Sequence, residues 1–130
     1  DEFVAAFVGM ETVLDGTVTA SSQGVLTASV LDRKVEASGC EAPGTRVRLG
    51  VRPENVILSL GEEARTSALN HFPGTVTRIV PKGPYYKVEL DCGFFLAAYV
   101  TARSLEELRL REGSEVVAGF KATAVHVLRG

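Results

Sequence analysis

A segment that occurs twice restricts the folds open to this chain more than any other feature. Gly44-Thr45-Arg46-Val47-Arg48-Leu49-Gly50-Val51-Arg52-Pro53-Glu54-Asn55-Val56 lies over Gly113-Ser114-Glu115-Val116-Val117-Ala118-Gly119-Phe120-Lys121-Ala122-Thr123-Ala124-Val125 at a constant offset of 69 residues. Each copy reads as a strand, a cationic kink and a second strand. An earlier match, Gly16-Thr17-Val18-Thr19 with Gly74-Thr75-Val76-Thr77, has an offset of 58, which places eleven extra residues inside the second copy. Two tandem β units follow, 12–60 and 66–130, joined by a polar, acidic linker at 61–65.

Within the first copy Val47, Leu49 and Val51 alternate with Arg46, Arg48 and Gly50, the period of a half-buried strand. Arg52-Pro53-Glu54 interrupts it, because proline removes a ladder donor, and Val56 to Leu60 resumes it. Upstream, Val13 to Ala20 and Val25 to Leu31 pair about a turn at Ser21 to Gly24. Asp32-Arg33-Lys34 is the next exposed turn, and Val35 to Ala37 a short strand. In the second unit Pro73-Gly74 signals a turn, and Thr75 to Val80 and Tyr85 to Leu90 form a hairpin around Pro81-Lys82-Gly83-Pro84. Asp91-Cys92-Gly93 then turns the chain into Phe94 to Val100. Ser104-Leu105-Glu106-Glu107 fits a capping box and predicts a helix from Ser104 to Leu110. The expected fold class is all-β, a tandem pair of small OB-like barrels, strand-rich with a short helix.

The totals exclude several classes of function. A net charge of −2 argues against a protein held on nucleic acid or an anionic membrane by bulk electrostatics. No stretch reaches the roughly 18 to 20 apolar residues of a spanning helix, so no direct membrane insertion is expected, and no signal peptide pattern occurs in the sequence given. Cys40 and Cys92 lie far apart with no metal-ligand spacing, and are read as two buried thiols of a reducing cytosol. Phe3, Val4, Phe7 and Val8 stand at helical spacing in a segment too short to be stable alone. The chain opens on Asp1 rather than Met, and 1–11 reads as the remnant of something that precedes it.

Groups for catalysis are few. His71 and His126 are the only histidines, no nucleophile elbow, zinc-protease or P-loop pattern occurs, and His126 sits in an apolar alternation typical of a strand. Three polar clusters at element ends are better placed for binding a small anion: Thr66-Ser67-Ala68-Leu69-Asn70, Thr101-Ala102-Arg103-Ser104 and Lys121-Ala122-Thr123. They offer hydroxyls, backbone N–H groups and an ammonium. Each also has an ordinary structural reading: Ser104 as a helix N-cap, Lys121 as a solvated lysine, Ser67 and Asn70 as turn residues.

Ser67-Ala68-Leu69-Asn70-His71-Phe72-Pro73-Gly74-Thr75-Val76-Thr77, Leu90-Asp91-Cys92-Gly93, Thr101 with Ser104, and Lys121-Ala122-Thr123-Ala124-Val125 resemble the Mop domain that binds molybdate or tungstate. Phe3-Val4-Ala5-Ala6-Phe7-Val8-Gly9 and Gly50-Val51-Arg52-Pro53-Glu54 resemble the region after the ATPase domain in importer subunits for maltose, sulfate and molybdate. The whole chain is thus similar to the C-terminal regulatory region, of TOBE type, of an ABC importer ATPase, with 1–11 the end of the ATPase domain. The resemblance implies a cytoplasmic homodimer, peripheral to the inner membrane through permease subunits, that holds molybdate or tungstate between protomers and inhibits transport. It implies ligand contacts from Ser67, Asn70, Thr101, Ser104, Lys121 and the Ala122 backbone, with no other cofactor.

Two departures bear on that expectation. The family has Arg after Ser-Ala and Gln after Asn, where this chain has Leu69 and His71, so one charge-assisted contact is missing. In the first copy Lys121-Ala122-Thr123 becomes Arg52-Pro53-Glu54, and the Glu54 carboxylate repels an oxyanion. The first unit is therefore expected to be structural, with any anion site in the second. The alternative is a ligand-free dimerisation module of an importer for another solute. An OB-like nucleic-acid module is a third reading, but adjacent strand residues face opposite sides, so at least half of Tyr85, Tyr86, Phe94 and Phe95 are expected in the core.

Overall fold

The computed structural model describes residues 9–61 and 69–130, and these form ten strands in two five-stranded antiparallel sheets. In the first, β1 (Thr12–Ser22), β2 (Val25–Val30), β3 (Arg33–Ser38) and β4 (Arg46–Val51) are joined by β10 (Val125–Arg129), in the order β10-β4-β1-β2-β3. In the second, β6 (Leu69–Pro81), β7 (Tyr86–Asp91), β8 (Phe95–Val100) and β9 (Glu115–Lys121) are joined by β5 (Ile57–Ser59), in the order β5-β9-β6-β7-β8. A helix, α1 (Ala102–Glu107), follows β8. The all-β, OB-like class is what the chain adopts, with one short α-helix among the described residues.

The repeat read from sequence is carried into the register. Gly16 pairs with Val47 and Gly74 with Val116, which keeps the offset of 58 on one strand and 69 on the other. The bulge repeats too, falling between Val18 and Ala20 in β1 and between Val76 and Arg78 in β6. Thr19 and Thr77, the bulged residues, both donate their hydroxyls to a carbonyl on the next strand, Thr27 at 3.3 Å and Glu89 at 3.2 Å.

The repeated glycine has a steric cause. A Cβ on Gly74 would lie 2.5 Å from Cys92 Sγ and 3.1 Å from the Asp91 carbonyl oxygen, and one on Gly16 would lie 3.1 Å from Val30 Cγ2. At Gly74 the strands approach too closely for a side chain, while at Gly16 a methyl group fits only if its neighbours give by a few tenths of an ångström.

The sheets exchange their last strands. β10, which ends the second sequence unit, pairs with β4 of the first, His126 opposite Gly50; β5, which ends the first, pairs with β9 of the second, Ile57 opposite Gly119. The two pairings are related by the same offset of 69. Units laid out along the sequence are thus interleaved in space, and one continuous apolar cluster runs from Leu14, Val18 and Leu49 through Val125 to Val76, Leu90 and Phe120. Phe72 lies against Phe94 edge-on at 5.1 Å and against Phe120 at 5.8 Å within it.

Several local expectations are corrected. Pro73-Gly74 is no turn, because β6 runs through it. Val76 exchanges backbone bonds with Gly113 and Ser114 on the β9 side, so by alternation Pro73 faces the β7 side, where pairing begins only at Thr75. The missing proline donor therefore breaks no ladder bond. The helix begins at Ala102, two residues before the expected start, and ends at Glu107: Thr101 is its N-cap, with its hydroxyl oxygen accepting from Ser104 N–H at 3.0 Å, and Ser104 lies inside the first turn. Arg33 and Lys34 already belong to β3 rather than to a turn. Cys92 is buried, but Cys40 is exposed in the loop before β4. Phe94 is buried while Phe95 is exposed, and Tyr85, half-buried, packs its ring on Tyr99 at 4.5 Å. Phe3, Val4, Phe7 and Val8, which stand at helical spacing in the sequence, and the linker residues 62–65 lie outside the described residues.

Candidate functional site

Two kinks of the same shape sit where the strand exchange begins. After β4, Arg52 is extended (φ −81°, ψ 136°) and leads into a 3-10 turn, Pro53–Asn55; after β9, Lys121 is extended (φ −73°, ψ 148°) and leads into Ala122–Ala124. Each turn is closed by the N–H of the following valine, Val56 to the Pro53 carbonyl and Val125 to the Ala122 carbonyl. Their chemistry differs. Ala122 carries a backbone N–H where Pro53 has none, and Thr123 stands where Glu54 exposes a carboxylate. Lys121 is exposed, whereas Arg52 is half-buried, with a guanidinium nitrogen only 2.7 Å from where a Cβ on Gly9 would lie.

The sequence-derived site residues fall into two groups within one chain. Lys121 is in register with Leu69 at the start of β6, beside Asn70 and Ala122, and this group packs against β3. Thr101 and Ser104 follow β8, which packs instead against the first kink. Among the described residues no hydrogen bond joins the groups. Thr101 caps α1 and also donates its hydroxyl to Ser104 Oγ at 3.2 Å, so the two hydroxyls form an exposed pair at the start of the helix. Ser67 lies outside the described residues.

Asn70 is the buried member. Its Oδ1 accepts from Glu36 N–H at 2.8 Å, and Nδ2 donates to the Glu36 carbonyl at 3.0 Å and the Phe120 carbonyl at 3.3 Å. Both amide hydrogens are engaged inside the chain. Nothing in the sequence signals Glu36 as the partner, because it contributes backbone and lies 34 residues away.

A second polar cluster escaped the sequence reading altogether. Glu11, just before β1, accepts from Lys87 Nζ at 2.8 Å and Tyr99 Oη at 2.6 Å, and Lys87 also reaches Glu89 at 3.3 Å. The hydrogen bonds from Lys87 and then Tyr99 hold the Glu11 carboxyl below its ordinary range, and the bond to Glu11 raises both Lys87 and Tyr99. Partners 76 and 88 residues apart leave no local signal. The cluster ties the start of the first unit to the second. Burial pushes the Cys92 thiol up to about 11, which makes it a packing residue rather than a nucleophile. Among the described residues no group of His, Cys, Asp and Glu suits a metal, and no helix is long and apolar enough to cross a membrane.

The TOBE domain family matches residues 66–127. This stretch is a TOBE domain. Over 98% of its length the chain is 39% identical to the molybdate/tungstate import ATP-binding protein WtpC of Pyrococcus abyssi, and over 87% it is 34% identical to the molybdenum import ATP-binding protein ModC of Pseudomonas aeruginosa. It spans 35% and 34% of those proteins, about a third of each. A crystal structure of the cytoplasmic molybdate-binding protein ModG with molybdate bound superposes with a TM-score of 0.84 at 26% identity, covering 93% of this chain and 97% of that one. The TOBE match takes in the second kink, the helix cap and Asn70, and begins after the first unit. The interleaved fold is therefore shared with a protein whose molybdate-bound structure is known.

Proposed function

We propose that the chain is the oxyanion-binding regulatory region of an importer's ATP-binding subunit, taking molybdate or tungstate at the second kink. The observation that carries this reading is the pairing of an exposed ammonium, Lys121, with the Ala122 N–H on a kink whose counterpart has Pro53 and Glu54 instead. A tetrahedral dianion leaves water only where several donors replace its hydration. Lys121, Ala122 and Ser67 supply part of that shell, and the Thr101 and Ser104 hydroxyls the rest. Because the two groups stand apart in one chain, a second copy brings the hydroxyl pair of one protomer to the kink of the other, and the ligand sits between them in a homodimer. Occupancy then reports intracellular oxyanion to the ATPase domain and permease subunits at the cytoplasmic face, and holds transport off. The activity is binding rather than catalysis. Leu69 and His71, which remove a charge-assisted contact, favour the second reading, a dimerisation module without ligand.

Thermal unfolding with molybdate, tungstate, sulfate or no addition, at fixed ionic strength, separates the two. A ligand at about 100 times its Kd adds roughly 2.7 kcal/mol, which raises the midpoint by about 10 °C in a domain of this size. The expected result is a rise with molybdate and tungstate but not sulfate, and at least a tenfold loss of affinity in Lys121→Ala with the fold intact. No rise with any anion establishes the ligand-free module.

A further inference from the structure

We propose that Asn70 is a positioning residue, whose side-chain amide splints β9 to the edge of β3 and thereby sets the second kink against the first unit. The effect on anion binding rests on the function proposed above; the splint itself does not.

β3 is the outer strand of its sheet, and Glu36 there turns its N–H and C=O away from β2. Such a pair of backbone groups is normally met by another strand or by water. Here one side chain meets both, with Oδ1 on the N–H and Nδ2 on the carbonyl, and its remaining hydrogen reaches the Phe120 carbonyl. Only this amide orientation works, because the reverse sets N–H against N–H and oxygen against oxygen. Phe120 immediately precedes Lys121, so the splint acts one residue from the proposed cation and fixes where the kink starts. With both hydrogens engaged, the Asn70 amide has none to offer a ligand, and its part in the site is to hold rather than to touch.

The repeat provides an internal control. At the offset of 58, Asn70 corresponds to Thr12, and their partners correspond as well, Val51 for one and Phe120 for the other. Thr12 is 1% exposed, and its hydroxyl has no hydrogen-bond partner among the described residues. The same fold thus accepts threonine here, but the shorter side chain bridges nothing. The braced kink is the one with the donor chemistry; the unbraced kink has Pro53.

Hydrogen exchange followed by NMR in the anion-free protein tests the splint directly. The Glu36 amide should be protected well above that of Lys34, its exposed neighbour on the same edge; equal rates overturn the proposal without any substitution. Asn70→Thr, which copies the residue at the equivalent position of the first unit, should keep the protein folded while Glu36 and the amides of 121–125 lose at least tenfold in protection and amides of the β1–β2 hairpin do not. Molybdate affinity in that variant should fall at least tenfold with Lys121 present. A uniform loss of protection across both sheets, or unchanged molybdate affinity, shows that Asn70 is a stability residue only and defeats the positioning role. If the unsubstituted protein binds no molybdate, the functional reading fails, and the exchange rates still decide whether the splint exists.

Discussion

Glu11 illustrates how much a single side chain decides once the chain is folded. It contributes nothing to any motif, yet it joins Lys87 and Tyr99 and so fastens the start of β1 to the second sheet. Its carboxyl titrates below the ordinary range, so the folded state binds fewer protons than the unfolded chain across the acid window. The stabilisation is present at neutral pH and is lost as pH falls through the depressed value. Lys87 and Tyr99 are raised, so their share is lost as pH climbs through the alkaline range. Urea unfolding across pH should therefore show that Glu11→Gln flattens both limbs, the acid one through Glu11 itself and the alkaline one through its partners. Unaltered pH dependence would falsify the cluster as a stabilising unit. The same scale separates Lys121 from Arg52: both cations are visible in the sequence, but only the fold shows one exposed and the other against Gly9.

At the scale of elements, strand crossing sets the tolerance of β1 and β6. Neither Gly16 nor Gly74 needs a left-handed backbone, so the cost of a methyl group there is steric alone. Gly74→Ala drives Cβ into Cys92 Sγ and the Asp91 backbone and should destabilise by about 1–3 kcal/mol. Gly16→Ala meets its neighbours at 3.1 Å or more and should cost less. Chemical denaturation of the two variants checks the order, and an equal or reversed ranking refutes it. The strands themselves were legible because alternation and turn residues are local. Pro73 and the helix cap were misread for one reason: both turn on which neighbour a backbone group faces. Pro73 is harmless only because β7 starts pairing at Thr75, and Thr101 caps the helix only because β8 ends at Val100.

For the whole molecule, the exchange of β5 and β10 makes the sheets interdependent. Removing either terminal strand from its host exposes the core of the other unit, so the protein should unfold in one step despite its two-copy sequence. Its three tyrosines, Tyr85, Tyr86 and Tyr99, all lie in the second unit and there is no tryptophan. Tyrosine fluorescence therefore reports that unit, while circular dichroism reports both sheets. Coincident thermal transitions are expected; two separated midpoints would mean that the halves fold independently and that the exchange couples nothing.

The sequence by itself determined the repeat, the all-β class, the two kinks and the residue types of an anion site, because strand periodicity, proline and glycine act within a few residues of themselves. Its TOBE character was legible for the same reason, in short motifs along one stretch. Only the tertiary structure decided that the units trade strands, that Thr101 and Ser104 stand apart from Lys121, and that Asn70 grips Glu36 rather than facing solvent. Those outcomes depend on which distant backbone groups remain unpaired after the sheets form, a quantity that exists only in three dimensions.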